Sequence, residues 1–331
     1  MSAFRIGPSF LAPSVLALAA LLAAAPAAVE AKSTLRIGTV LAAGDPLMVA
    51  AQQMKKDIEA ATKGEVEVQV FPSSQLGDTQ AMMDQAQAGA NVGTFVEGSR
   101  LAPHVPEFNV LVAPYAFNSV DELAKFVETP TFAQWNDKLK AKTGLTILSF
   151  NWYQGARHML TKKPIAQPAD LKGIRVRTIG EPLWIKTINA MGAVATPLAW
   201  AEVYPSLQTG VIDGAEAQPS AIRGAKLYEV VSNVTLTEHI YLMSGLIVSD
   251  KWLQSLPAEH RKIVEMHAKK SGAAALKANV DQADQIFAEI KAKGVKVTPV
   301  DKTPFKNAVQ PVYGELGLTD MVAQARKAIA N

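Results

Sequence analysis

The sequence has no cysteine, and it has few histidines and aromatic residues. Among its 331 residues there are five His, and the aromatic residues Phe, Trp and Tyr together make up 7%. Without a thiol the chain can form no disulfide, no cysteine metal site and no attachment of lipid to cysteine. The histidines are scattered, and none stands at metal-ligand spacing from a carboxylate. We therefore expect neither a metal nor a cofactor.

The chain also lacks a strong charge of one sign and the common signatures of catalysis. The 33 basic and 30 acidic residues leave a net charge of +3, which gives no case for binding nucleic acid. No phosphate-binding loop, dinucleotide fingerprint or serine nucleophile elbow is present. An enzyme would need a Ser or Asp nucleophile without any local signal. We predict that the protein is not an enzyme, and an exported α/β enzyme is the weaker alternative.

The N-terminus differs in kind from the rest of the chain. Arg5 precedes an apolar run from Leu11 to Ala25, and the small-residue stretch Pro26–Ala31 follows. This order is typical of a secretory signal peptide, which we expect to be cleaved after Ala31. An uncleaved membrane anchor is the alternative, but the run is rich in Ala and short for about 30 Å of hydrocarbon. Export without cysteine favours the bacterial periplasm.

From Ser33 onward the sequence alternates between strand and helix patterns, which predicts an α/β fold. A length of 331 residues favours about two lobes. From Pro257 to about Lys293 the pattern is helical, with no proline after the first residue. A helix of that length would reach roughly 50 Å, which exceeds one lobe.

Two arginines on one predicted strand form a candidate anion clamp. Arg175, Val176 and Arg177 alternate, so the two arginines share one face of the strand. A guanidinium matches a carboxylate with two parallel hydrogen bonds. The alternative is that both arginines pair with surface acids such as Glu181.

Other candidates stand where strands end. Glu97 follows a predicted strand, at the carboxyl edge where open α/β sheets place ligand contacts, although a solvated or helix-capping role is the alternative. Tyr153 is a candidate cleft wall or a core residue. Gly155 permits the backbone angles that a crossing between lobes requires.

The region around Arg177 also resembles a known family. Leu-Lys-Gly-Ile-Arg-Val-Arg at 171–177, Met-Gly-Ala at 191–193, and the run from Ala201 to Glu216 fall in register over more than a dozen positions. Together they resemble the substrate-binding subunit of tripartite ATP-independent periplasmic (TRAP) transporters, the DctP-like solute receptors. Pro-Ser-Ser-Gln-Leu-Gly-Asp at 72–78 is similar to the same family.

The resemblance implies a two-lobe periplasmic binding protein fold with a long helix spanning both lobes. We expect lobe I to comprise 32–154 plus about 243–282, and lobe II about 155–242 plus 283–331. The function implied is capture of a small carboxylate and its delivery to integral-membrane TRAP transporter subunits, by a monomer. A receptor that serves a periplasmic sensor would have the same site, and an ABC-type binding protein is expected to lack the long helix.

The resemblance also assigns residues to the substrate site. Arg177 would hold the carboxylate, Arg157 would be the second substrate arginine, and Trp200 the cleft aromatic. Ala217 stands where many relatives carry an Asn that binds substrate, so ligand identity does not transfer. The full set of expected substrate-binding residues is Arg177, Arg157, Trp200, Glu97, Gln218, Tyr153 and Met243.

Overall fold

The computed structural model describes residues 1–3, 5, 7 and 32–330. The apolar run and the small-residue stretch of the predicted export signal lie outside the described residues. The described residues from Lys32 onward belong to one compact unit. In the part of the chain that the structure describes, no helix combines the length and the apolar character needed to span a bilayer.

The strands form two sheets. Numbered in chain order, they are β1 (Ser33–Gly38), β2 (Val66–Phe71), β3 (Val92–Glu97), β4 (Leu145–Ala156), β5 (His158–Thr161), β6 (Arg175–Thr178), β7 (Val194–Pro197), β8 (Gly214–Ala217), β9 (Asn233–Leu236), β10 (Tyr241–Ser249) and β11 (Lys296–Pro299). The first sheet has the order β2-β1-β3-β10-β4, and the second has the order β11-β9-β5-β8-β6-β7. We call the parts built on these sheets lobe I and lobe II.

Helices cover both sheets. They are α1 (Pro46–Ala61), α2 (Thr79–Gln87), α3 (Gly98–Leu101), α4 (Val120–Phe126), α5 (Pro130–Thr143), α6 (Pro182–Ala190), α7 (Val203–Thr209), α8 (Pro219–Gly224), α9 (Asp250–Ser255), α10 (Ala258–Ala292), α11 (Thr303–Glu315) and α12 (Thr319–Ala330). In the first sheet β1, β2 and β3 are parallel, whereas β10 runs antiparallel to β3 and β4. This mixed α/β architecture agrees with the fold class expected from the sequence.

The chain passes from lobe I to lobe II at Arg157, between β4 and β5. Just before this point Gly155 has a φ of +128°, in the region that favours glycine. A Cβ at Gly155 would lie 3.0 Å from the Cβ of Gln218. Both the backbone angle and the close approach therefore require glycine at this crossing. The chain returns to lobe I between β9 and β10.

Helix α10 is continuous over 35 residues and connects the two lobes, as expected. Its first half packs on lobe I, where Val264 and Ala268 join the core. Its second half packs on lobe II through Ile286 and Ile290. A Cβ at Gly272 would come within 2.0 Å of Asn151 Oδ1. Glycine thus allows the helix to pack closely on β4.

The C-terminal helices differ from the predicted division, which gave 283–331 to lobe II. Helix α11 does pack on α6 of lobe II, through Phe305. Helix α12, however, packs on α4 of lobe I, and its Val322 and Ala325 belong to the same core cluster as Phe117 and Phe126. The sequence shows that α12 has an apolar face, but it carries no signal for which lobe that face covers.

Candidate functional site

A cavity of about 130 Å³ lies between the lobes. It opens where the carboxyl ends of β1, β3 and β6 meet, as ligand sites do in open α/β sheets. Lobe I contributes Thr39, Val40, Leu41, Asp78, Thr79, Gln80, Phe95, Glu97, Arg100, Gln154 and Leu242. The crossing and lobe II contribute Arg157, Arg177, Ile179, Gly180, Leu198, Ala199, Trp200, Gln218 and Ala221.

Arg177 lies in this cavity without a carboxylate partner. Its side chain is on β6, the residue is only 5% exposed, and its Nε donates to the carbonyl of Leu198 at 3.0 Å. Among the described residues, no carboxylate forms a salt bridge with it and nothing accepts a hydrogen bond from Nη1 or Nη2. Its guanidinium carbon lies 5.3 Å from the ring centroid of Trp200. Arg177 is thus supported by one carbonyl and one aromatic ring.

The pKa of Arg177 is lowered to about 10, chiefly by burial; the Glu216 and Glu97 charges act to raise it, and the Arg157 and Arg100 charges act to lower it. Arg177 therefore remains a cation at neutral pH. A buried charge without a partner is unfavourable, and the cost is relieved when an anion binds. The site is therefore prepared to accept one negative charge beside Arg177.

The predicted two-arginine clamp does not form. Arg175 is exposed, and its guanidinium pairs with Asp213, with Nε 2.8 Å from Oδ2. Its Nη2 also donates to the carbonyl of Gly210 at 2.7 Å. Strand β6 is short, so the face that the two arginines share meets the cavity at Arg177 and solvent at Arg175. The surface-pair alternative holds for Arg175, with Asp213 in place of Glu181.

Arg157 lines the same cavity, but its charge is already paired. It is 3% exposed, and its Nε forms a salt bridge with Glu216, which is completely buried. Nη2 donates to the carbonyl of Glu216 at 2.6 Å, and Nη1 donates to Gln218 Oε1 at 2.8 Å. Its guanidinium also lies 5.0 Å from the ring centroid of Trp184. The charge of Arg157 is therefore compensated before any ligand binds.

Glu216 stays ionised despite its burial. Burial acts to raise the pKa of Glu216, but the Arg157 charge and contact with His239 outweigh it, so the pKa lies below its usual range. His239 Nε2 is 3.7 Å from Glu216 Oε2, and Thr178 Oγ1 donates to Glu216 Oε1 at 3.4 Å. Burial lowers the pKa of His239, which favours its neutral form. The buried network therefore holds one cation and one anion.

Gln218 continues this network into lobe I. Its Nε2 donates to Gln154 Oε1 at 3.0 Å, and Gln154 Nε2 donates to Ser244 Oγ at 2.5 Å. Ala217 points the other way, into the core of lobe II, because successive residues of a strand face opposite sides. Gln218, and not Ala217, therefore contributes its side chain to the cavity.

A second charged cluster lines the lobe I wall around Arg100, a residue that was not among the predicted site residues. Arg100 Nε lies 2.7 Å from Glu97 Oε1, and its Nη1 lies 3.6 Å from Glu181 Oε1 on lobe II. Nearby, Trp184 Nε1 of lobe II donates to Ser99 Oγ of lobe I at 2.8 Å. The spacing of Glu97 and Arg100, three residues apart at a helix start, was the available signal.

Two predicted residues lie outside the cavity. Tyr153 and Met243 pair across β4 and β10 and are buried in the core of lobe I. Their neighbours Gln154 and Leu242 line the cavity instead. The physical reason is strand alternation, which turns adjacent residues to opposite faces. Trp200 is half-buried, lines the cavity and packs against the cores of both lobes.

The comparisons with known proteins agree on one family. Residues 37–319 match the family model for DctP, described as bacterial extracellular solute-binding protein, family 7. The sialic acid-binding periplasmic protein SiaP of Vibrio cholerae is 30% identical over 298 residues, which is 90% of this chain and 92% of SiaP.

Two solved structures of TRAP periplasmic solute-binding proteins are similar. One, from Actinobacillus succinogenes with bound L-galactonate, has a TM-score of 0.87 at 30% identity and covers 90% of this chain and 99% of its own. The other, an apo open structure from Escherichia fergusonii, has a TM-score of 0.80 at 45% identity and covers 89% and 99%. The fold is thus more similar to the ligand-bound structure, although the sequence is more similar to the open one.

Proposed function

Because this chain belongs to the DctP family of bacterial extracellular solute-binding proteins, we propose that it captures a small organic acid in the periplasm and delivers it to a TRAP-type membrane transporter. The family consists of solute-binding receptors, and one similar solved member holds L-galactonate. The acid would leave the receptor chemically unchanged.

The single observation that carries the proposal is the unpaired Arg177. Its Nε is already bound to the Leu198 carbonyl, which leaves Nη1 and Nη2 for the ligand. A carboxylate can accept from both in a two-point contact, the geometry in which a guanidinium is most selective. The contact would also give a counter-charge to a buried arginine that has no carboxylate partner among the described residues. The first carboxylate of the ligand therefore binds at Arg177.

The remaining predicted residues take supporting roles in this proposal. Trp200 covers an apolar face of the ligand at little entropic cost, because its ring has few rotatable bonds. Arg157, oriented by Glu216, presents its free N–H groups to a ligand oxygen. Glu97 and Gln218 contact further polar groups. Tyr153 and Met243 are left out, since they do not line the cavity.

Closure of the lobes would follow from binding. Trp184 and Ser99 form a hydrogen bond between the lobes, and Arg100 and Glu181 form an ion pair between them. Greater similarity to the L-galactonate complex than to the open structure supports a closed arrangement here. A ligand shifts the equilibrium only by contacts that it makes in the closed form and lacks in the open form. A ligand at Arg177 and the lobe I wall makes such contacts.

The relatives and the cavity lining support one ligand class. SiaP binds sialic acid, and the Actinobacillus protein holds L-galactonate; both ligands are sugar acids. The cavity combines one unpaired cation with several hydrogen-bonding side chains. We therefore favour a sugar acid over a C4-dicarboxylate, a simple keto or hydroxy acid, or a compatible solute. Export by a signal peptide cleaved after Ala31 and a monomeric receptor complete the proposal.

The proposal is tested by calorimetric titration of the purified protein with sugar acids and other small carboxylates, first identified by thermal shift. Arg177→Ala should weaken binding by about 2 to 5 kcal/mol, tens- to thousands-fold, because the ligand carboxylate loses its partner. Arg175→Ala is the matched control, since Arg175 stands on the same strand but pairs with Asp213 outside the cavity. Wild-type affinity in the Arg177→Ala variant would overturn the assignment.

A further inference from the structure

Arg100 stands between two carboxylates at the edge of the cavity. Its Nε is in ion-pair contact with Glu97 of lobe I, and its Nη1 faces Glu181 of lobe II. The Glu97 charge is the largest influence on the pKa of Arg100 and raises it. The cluster of these three residues, which we call the Arg100 cluster, has one positive and two negative groups. Its net charge is the opposite of that at Arg177.

This charge balance determines which ligand groups the cluster can accept. An arginine without acidic partners would offer a second anion site, but Arg100 already has two. The two carboxylates also repel each other: burial raises the pKa of Glu181, Arg100 acts to lower it, and the Glu97 charge acts to raise it. A ligand carboxylate here would be a third anion around one guanidinium, and juxtaposed like charges disfavour binding.

Hydroxyl groups, in contrast, suit the cluster. A hydroxyl donates to a carboxylate and accepts from a guanidinium, so it can satisfy both kinds of group without adding charge. Glu97 Oε1 and Arg100 Nε are close but poorly aligned, and neither has a hydrogen-bond partner among the described residues. The hydroxyl of Thr79 and the amide of Gln80 line the same wall. The wall is therefore polar without being an anion site.

The Arg100 cluster also joins the two lobes. Arg100 belongs to α3 of lobe I, while Glu181 immediately precedes α6 of lobe II. A ligand carboxylate that took Arg100 would have to replace Glu181 and would leave that acid without its partner. A second ligand charge would thus oppose the lobe contact that accompanies closure.

We propose that Arg100, Glu97 and Glu181 act as a charge filter, so that the cavity takes a polyhydroxy acid with one carboxylate and rejects the same acid with a second carboxylate at its far end. This inference rests on the proposed function, because it assumes that the first carboxylate binds at Arg177. It adds the specificity-determining role of Arg100 and Glu181. Discrimination arises from repulsion at the wrong ligand as well as attraction to the right one.

Matched pairs of acids test the filter. L-Galactonate and galactarate differ only in oxidation of the terminal carbon, and so do D-gluconate and D-glucarate. In titration calorimetry, the protein should bind the monocarboxylate more tightly than the dicarboxylate, by about tenfold or more, in whichever pair binds more tightly. This is the effect of a like-charge contact. Glu181→Gln should bring the two affinities closer together, and Glu97→Gln should do the same.

Glu315→Gln is the matched control, because it removes an acid that pairs with Lys186 of α6 in an exposed salt bridge outside the cavity. It should leave the preference unchanged. Equal or tighter binding of the dicarboxylate to the wild type, no shift of the ratio in Glu181→Gln, or failure of all four acids to bind would overturn the filter. If Arg177→Ala abolishes binding while the wild-type ratio is near one, the proposed function stands and the filter fails.

Discussion

The cavity holds two buried arginines with opposite electrostatic situations. Arg157 is enclosed by Glu216, Gln218 and the ring of Trp184. Arg177, equally buried, has a carbonyl and the ring of Trp200 but no carboxylate among the described residues. Removing one partner of a buried ion pair leaves an uncompensated charge, whereas removing an unpaired charge does not. This difference indicates that the Arg157 ion pair stabilises the fold, and it supports the proposal that Arg177 is available to a ligand.

The largest expected effect is a loss of stability when Arg157 is removed from its ion pair. Arg157→Met should lower the free energy of unfolding by about 3 to 5 kcal/mol, because Glu216 would stay buried without its cation. Denaturant titration of the ligand-free protein measures this change. The double variant Arg157→Met/Glu216→Leu should recover much of the loss, since both charges are then absent. A double variant no more stable than the single one would show that the ion pair does not account for the effect.

Replacing the unpaired Arg177 should change the free energy of unfolding less, and in the opposite direction. Arg177→Met should leave the ligand-free protein as stable as the wild type, or more stable by about 1 kcal/mol, because it removes a desolvated charge. The same denaturant titration, run beside Arg157→Met, makes the comparison direct. A loss of stability as large as that of Arg157→Met would erase the distinction between the two arginines.

The smallest effect concerns pH. The folded-state pKa of Glu216 is lowered, so its contribution to stability is complete above its unfolded pKa and is lost as pH falls through the folded value. His239, whose pKa is also lowered, adds a loss that begins as pH falls below its usual pKa of about 6.5. Stability of the ligand-free protein should therefore decrease from about pH 6.5 downward and more steeply below about pH 4.5.

Unfolding measured at several pH values checks this expectation. Glu216→Gln should flatten the acid limb of the profile. Asp213→Asn, which removes the acid of the exposed Arg175 pair, should change it much less, because solvent screens that pair. Profiles of equal slope for the two variants would contradict the special role of the buried pair.

The sequence predicts the arginine at the centre of the site better than it predicts the partners. Strand alternation indicates Arg175 and Arg177 together, and the family resemblance singles out Arg177. Nothing local indicates that Arg157 pairs with Glu216, because the two are far apart in sequence and meet only when β5 and β8 pair. For the same reason the sequence does not reveal the partner of Arg175, because Asp213 is also distant in sequence and follows α7.

Two predicted site residues are wrong by one position in the sequence, and the reason is a different one. Tyr153 and Met243 were predicted in the cavity, where Gln154 and Leu242 stand instead. A strand buried on both faces has no polar alternation to reveal which residues face the ligand. Helix α12 presents a similar difficulty for a whole element, because its apolar face indicates that it packs against another part of the chain but not against which lobe. The fold class and the long helix α10, which depend on periodicity over many residues, were predicted correctly.

The most direct test of the central claim is a crystal structure of the protein with a bound sugar acid identified by titration. We predict that two oxygens of one ligand carboxylate lie at hydrogen-bond distance, about 2.7 to 2.9 Å, from Nη1 and Nη2 of Arg177. Arg157 should keep its salt bridge to Glu216 in the same structure. A carboxylate bound elsewhere, with Arg177 turned away from it, would contradict the account.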